Sequence, residues 1–162
     1  MRSFSNLWFW IALAVVWSSA SHWVLGVPYD LIQRASRHGG QAQTDLEDIV
    51  RINVNRILHI GRVSGLWLLG IVSFFLTMLG LLAFYYDIET AQAIFLIAFP
   101  MSIVGALSLS TARLIETEQP DGAKLVKRLH RHRLWTQFIG MSSIIATVFY
   151  WTFRYLAATP GF

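Results

Sequence analysis

His22 and His59 are the side chains whose type and setting first suggest chemistry, since an imidazole at the end of a long apolar run can ligate haem iron or bond a quinone. His22 sits about one helical turn from the end of an apolar run over 7–27, and His59 just ahead of another over 64–85. Ionisable groups at membrane depth are functional candidates by default. The plainer reading makes His22 a polar interfacial residue bonded to backbone or a headgroup, because a bis-histidine haem site needs facing helices and nothing in the sequence pairs these two runs. His130 and His132 point about 200° apart on a helix, poor geometry for one ion, so no metal is expected there. The chain has no cysteine, which removes disulfides, thiolate zinc sites, all-cysteine iron–sulfur clusters and a cysteine nucleophile. No catalytic or nucleotide motif stands in their place, and the expectation is a non-enzymatic protein without a cofactor.

Three further groups invite interpretation. Lys124, Lys127, Arg128, Arg131 and Arg133, with His130 and His132 among them, abut the last apolar run. Anionic headgroups attract such juxtamembrane charge at ~1 kcal/mol per residue, so phosphate contact is one reading and topology alone the other. Arg51, Asn53, Asn55, Arg56, His59 and Arg62 form a donor-rich face suited to carboxylate or phosphate; the plainer role is pairing with Asp45, Glu47, Asp48, Glu116 or Glu118. Arg51 lies four residues beyond Glu47, a helical ion-pair spacing. Ala98, Ser102, Ala106 and Ser110 recur at four-residue spacing, a ridge of small side chains that lets another helix approach closely in lipid. Gly140 and Ser143, with Ala14 and Ser18, are the candidate partners within the chain, and the same ridge on a second copy is the alternative.

The elements that must position these residues follow from composition. Of 162 residues 55% are apolar and 14% charged, too little polar surface to cover a soluble core. Apolar windows over 7–27, 64–85, 90–109 and 135–157 are each long enough to cross hydrocarbon, and backbone without water must be helical there. Arg2, the apolar stretch 7–17, Ser18 and Ala20 imitate a cleavable signal, but the run resumes at Trp23-Val24-Leu25 and the reading is a retained span. Eleven of thirteen Lys and Arg side chains fall in the connections 28–63 and 110–134; only Arg2 and Arg154 lie at the opposite ends. The positive-inside rule puts both connections in the cytoplasm and both termini outside. Trp8, Trp10, Tyr85, Tyr86, Trp151 and Tyr155 would form the outer aromatic belt, and Trp23, Tyr29, Trp67 and Trp135 the inner one. No Asp, Glu, Lys, Arg or His lies within 64–85 or 90–109, unlike a proton-coupled transporter or ion pump.

Thr44 and Glu47 have capping-box spacing and predict a helix start near Thr44, after a break at His38-Gly39-Gly40. That helix runs to Tyr85 with about 20 residues below the membrane, Leu46, Ile49, Val50, Ile57 and Ile60 on roughly one face. Pro120-Asp121-Gly122 marks a turn before a basic helix, where Leu125 and Leu129 stand one turn apart. Asp87 would cap the third span, Pro100 would kink it, and the freed carbonyl near Leu96 would be satisfied locally. Arg154 would snorkel to the outer headgroups. The expectation is a single integral membrane domain over 1–162. It is an all-α four-transmembrane-helix bundle whose helices 2 and 4, with the end of 3, continue into a cytoplasmic helical bundle.

The segments Met1-Arg2-Ser3-Phe4-Ser5-Asn6-Leu7-Trp8-Phe9-Trp10, Arg51-Ile52-Asn53-Val54-Asn55-Arg56-Ile57-Leu58 and Ala98-Phe99-Pro100-Met101-Ser102-Ile103-Val104-Gly105 resemble a family of small four-helix inner-membrane proteins of photosynthetic and related alphaproteobacteria. The similarity covers most of the chain. Some members carry the label of a component of the SufBCD complex, which the absence of cysteine here does not support. The resemblance implies a bacterial inner membrane and association with larger bioenergetic complexes. The function expected first is a scaffold or accessory subunit that self-associates or binds a larger membrane complex and anionic lipid. An oligomeric channel is one alternative, and a haem- or quinone-binding redox subunit using His22 and His59 the other.

Overall fold

A computed structural model describes residues 7–158; Arg2 and the rest of 1–6 lie outside the described residues, as do 159–162. The chain is all-α apart from a two-residue strand pair. Helix α1 spans Leu7–His22, strands β1 and β2 Trp23–Val24 and Val27–Pro28, α2 Tyr29–His38, α3 Gly40–Gly80, α4 Glu89–Glu118 and α5 Gly122–Ala158. A π-helical turn, Leu81–Tyr85, prolongs α3.

The first apolar run does not remain helical to Val27. Helix α1 ends at His22, and Leu25 and Gly26, both with positive φ (53° and 76°), turn β1 back onto β2. Two consecutive positive-φ residues match the twist of a tight hairpin. Leu25 is not glycine and adopts this conformation at a cost that burial of its side chain offsets. Val24, Leu25 and Val27 therefore belong to the packed core and not to the apolar rod of α1. Pro28 then starts α2 with φ already near the helical value, and Asp30 occupies its first turn. Gly39 and Gly40, at φ 59° and 54°, reverse the chain into α3. Thr44 is not the cap expected of it: α3 begins at Gly40, and Thr44 Oγ1 donates to the Gly40 carbonyl at 3.4 Å.

The core lies at one end. Leu46, Val50, Val54 and Leu58 of α3 meet Ile32 and Ala35 of α2, Ala112 and Ile115 of α4, and Leu125, Val126 and Leu129 of α5. A four-residue spacing drifts slowly round the helix and makes one continuous stripe on α3. Ile49 and Ile60, expected on that stripe, are exposed on the other side. We call this end the foot.

Beyond the foot the packing pairs are α3 with α4, α4 with α5, and α5 with α1, so the long helices run chiefly in the order α1, α5, α4, α3 and not around a closed ring. The prolonged α3 and α4 are each long and apolar enough to cross a membrane, and only 6% of the most apolar stretch of each is buried. That exposure separates them from the core helices of a soluble protein, which bury the same residues in protein. Helix α1 contacts α5 through Leu13 and Trp17, whereas Ala14 and Ser18 are exposed. A Cβ built on Gly140 would stand 2.7 Å from the Trp17 ring, so only glycine admits the indole there. Pro100 does leave a carbonyl free, but α5 satisfies it: Ser143 Oγ donates to the Leu96 carbonyl at 3.1 Å. Replacing Gly140 by Leu is expected to push α1 off α5 and lower stability by about 1–3 kcal/mol, read as a fall in the unfolding midpoint in detergent; an unchanged midpoint would refute this packing.

Candidate functional site on the basic face of α5

Helix α5 carries Lys124, Lys127, Arg128 and Arg131 at the spacing of one helical face, above the turn that closes α4. With Glu118, Gln119, Pro120 and Asp121 they line an open depression of about 330 Å³. Lys124, Lys127 and Arg131 are exposed. Arg128 is half-buried and pairs with Glu118. Arg133 is turned to internal use: its Nε donates to the Ser21 carbonyl at 3.1 Å and its guanidinium lies 3.7 Å from the centre of the Tyr29 ring. A cation at the last carbonyls of α1 also complements that helix dipole. Of the five expected phosphate contacts, three remain open to a ligand and two hold the fold.

A distant carboxylate already caps the α5 N-terminus. Glu47 Oε1 accepts from the Gly122 N–H at 2.9 Å and from Gln43 Nε2 at the same distance. The Gly122 bond, then the Gln43 bond, hold the Glu47 carboxyl below its usual range against the opposing effect of burial. Its partner is thus a helix 75 residues away and not Arg51, which binds Asp48 at 2.8 Å. Arg62 Nη2 reaches both oxygens of Glu116, at 2.6 and 2.8 Å, joining α3 to α4. These exposed pairs are worth about 0–1 kcal/mol each and orient more than they stabilise.

His22 and His59 are both exposed, on helices with different principal neighbours, α1 beside α5 and α3 beside α4. The His22 ring meets Trp23 edge-on at 5.9 Å. The histidine with a built environment is His132: it is buried, its Nδ1 lies 3.0 Å from Thr111 Oγ1, and Thr136 Oγ1 donates to its carbonyl at 3.1 Å. Burial pushes its pKa down, so the ring is held neutral between α4 and α5. His130 stands 5.5 Å from Tyr29, ring to ring, with the hydroxyl 3.4 Å from its Nδ1. In the small-residue ridge, Ala98 and Ser102 are half-buried, with Ser102 Oγ donating to the Ala98 carbonyl at 2.8 Å, while Ala106 and Ser110 are exposed.

At the opposite end, Asp87 adopts φ 54° and does not cap α4, whose N-cap is Ile88. Its carboxylate accepts from Arg154 of α5 and, at 2.8 Å, from Gln92, whose Nε2 also donates to the Ala83 carbonyl at 2.7 Å. Arg154, then Gln92, hold the Asp87 carboxyl below its usual value. Gln92 is fully buried and serves the carbonyl that the π-turn displaces. Arg154 is therefore a tie between α5 and the connection of α3 to α4.

Sequence reasoning passed over Glu47 as a long-range cap and Gln92, and placed His132 only among the juxtamembrane basic residues and not as a buried contact. Only Gln92 carried a signal, being the sole Gln in an otherwise apolar run. His132 generates a pH prediction. Its folded pKa is lowered, so the foot is fully stable above the unfolded histidine value of about 6.5 and loses stability as pH falls through it. The midpoint of thermal unfolding is expected to fall over that range, and the fall to shrink in His132→Asn; equal slopes in both proteins would contradict the assignment. Compared with known proteins, the chain matches no family model, no curated protein and no solved structure.

Proposed function

We propose that the chain is a four-pass protein of a bacterial inner membrane, with both termini periplasmic, acting as a non-enzymatic scaffold or accessory subunit. It holds a rigid cytoplasmic foot and self-associates or joins a larger membrane complex. One observation carries the reading: the contiguous apolar core cluster lies in the foot, while the most apolar stretches of α3 and α4 leave almost all their side chains outward. Lipid accounts for the outward half, and a foot packed from parts of α2, α3, α4 and α5 accounts for the rest.

Helix geometry supports the proposed depth. Gly61 of α3 faces Leu109 of α4, His132 of α5 faces Thr111, and Ser21 of α1 bonds Arg133, so the inner ends of all four rods are level. At the other end Trp10 meets Trp151 at 6.3 Å and Trp151 stacks on Tyr155 at 5.8 Å, as in an interfacial aromatic belt. From Gly40 to Gly61 the foot of α3 descends roughly 30 Å below that level at ~1.5 Å per residue. Arg131, one turn from Trp135, lies at headgroup depth, and anionic lipid is its proposed partner. Lys124 lies roughly 10 Å deeper in the cytoplasm than Arg131 at ~1.5 Å per residue.

Lys124 and Lys127 are the only lysines. A membrane-impermeant amine reagent applied to intact cells is expected to leave both unmodified and to label them after permeabilisation. Labelling of either in intact cells would reverse the orientation. For the scaffold reading, purification in mild detergent followed by mass measurement is expected to give a multiple of 18.4 kDa or a co-purifying membrane partner. A single chain without partner would refute it.

A further inference from the structure

The far side of α3 has no neighbour in the monomer, and its pattern specifies one. Opposite the buried stripe of the foot stand Ile52 and Val63, 62% and 67% exposed, with Ile49 also open. Ile49, Ile52, Arg56, His59, Val63, Leu66 and Gly70 follow steps of 3, 4, 3, 4, 3 and 4, apolar at its two ends and polar at Arg56 and His59 between them. That is the seven-residue seam by which two helices wind around each other. Further along, a Cβ on Gly70 would meet nothing within 4 Å. Around it Leu66, Trp67, Ile71, Phe74 and Phe75 frame an apolar depression of about 470 Å³, the four-sided socket into which a facing side chain inserts.

Acyl chains can cover Leu66 and the socket, but the same seam continues into the water-surrounded foot, where lipid cannot reach Ile52. Its occupant must be a rod that presents apolar side chains at this spacing along both a lipid-facing and a water-facing length and tolerates Arg56 and His59 between them. Helix α3 is itself such a rod, 41 residues long without interruption. We infer that a second copy of this chain covers the seam, α3 against α3, parallel and about a two-fold axis along the membrane normal. Two copies inserted in the same orientation can meet symmetrically in no other sense. Arg56 lies within the seam, where a polar residue costs stability and fixes register. The inference rests on the self-association proposed above and names the surface responsible.

The chain has no cysteine, so single substitutions report contacts directly. In native membranes under mild oxidation, Ile52→Cys and Val63→Cys are expected to form disulfide-linked dimers. Arg51→Cys, about 100° round the helix, is expected to remain a single chain. Ile52→Asp should reduce the detergent-solubilised mass to that of one chain, and Arg56→Leu should tighten association about tenfold. Absence of cross-linking at both seam positions in a preparation of multimeric mass would overturn the seam while leaving self-association intact. Equal cross-linking at Arg51→Cys would overturn it likewise, and a single-chain mass for the native protein would remove both.

Discussion

One unbroken helix, buried on one face at its start and exposed and apolar further along, constrains everything else here. From Gly40 to Gly80 the backbone of α3 satisfies its own hydrogen bonds, so it needs no solvent and can cross from a packed protein core into an apolar medium without rearranging. What changes along it is the side chains. Below Gly61 one face carries Leu46, Val50, Val54 and Leu58 into the core; above it Leu66, Trp67, Leu69 and Phe74 point outward. Water would penalise that outward surface at roughly 25 cal/mol per Å² of apolar area, whereas hydrocarbon does not.

The two halves consequently need different kinds of adhesive. In the foot, apolar burial against water holds four helices and the hairpin, and Glu47 fixes the start of α5 against α3. In the apolar half, on the proposed four-span reading, burial against lipid would offer little, and close packing and hydrogen bonds would take over. Trp17 seated on Gly140, Ser143 on the Leu96 carbonyl, and Gln92 on the Ala83 carbonyl are these contacts. Each places a polar group or a small residue where a neighbouring backbone comes near. The Asp87 and Arg154 pair closes the row at the far end.

Much of this was legible from residue pattern. Long apolar windows, the basic connections and the four-residue recurrence of Leu46 and Val50 report directly on length, charge and face, which are one-dimensional properties. The turn at Leu25-Gly26 was not legible, because a leucine forced to positive φ has no turn signature and its apolar neighbours read as more span. Glu47 illustrates the same limit: its spacing from Thr44 is that of a local capping box, yet the helix end it caps belongs to α5. Long-range partners such as these depend on which helices lie side by side. For the same reason the sequence ranked Arg133 with the open cations, when the end of α1 and Tyr29 had claimed it.

The claim that lipid surrounds one half of α3 and water the other is best tested by spin labels placed singly along its exposed side, with collision by molecular oxygen and by a water-soluble nickel chelate compared at each. Labels at Asp48 and Asn55 are expected to favour the nickel reagent, and labels at Leu69 and Phe74 oxygen, with the change falling between Gly61 and Leu66. Preference for the nickel reagent along the whole helix would contradict the account.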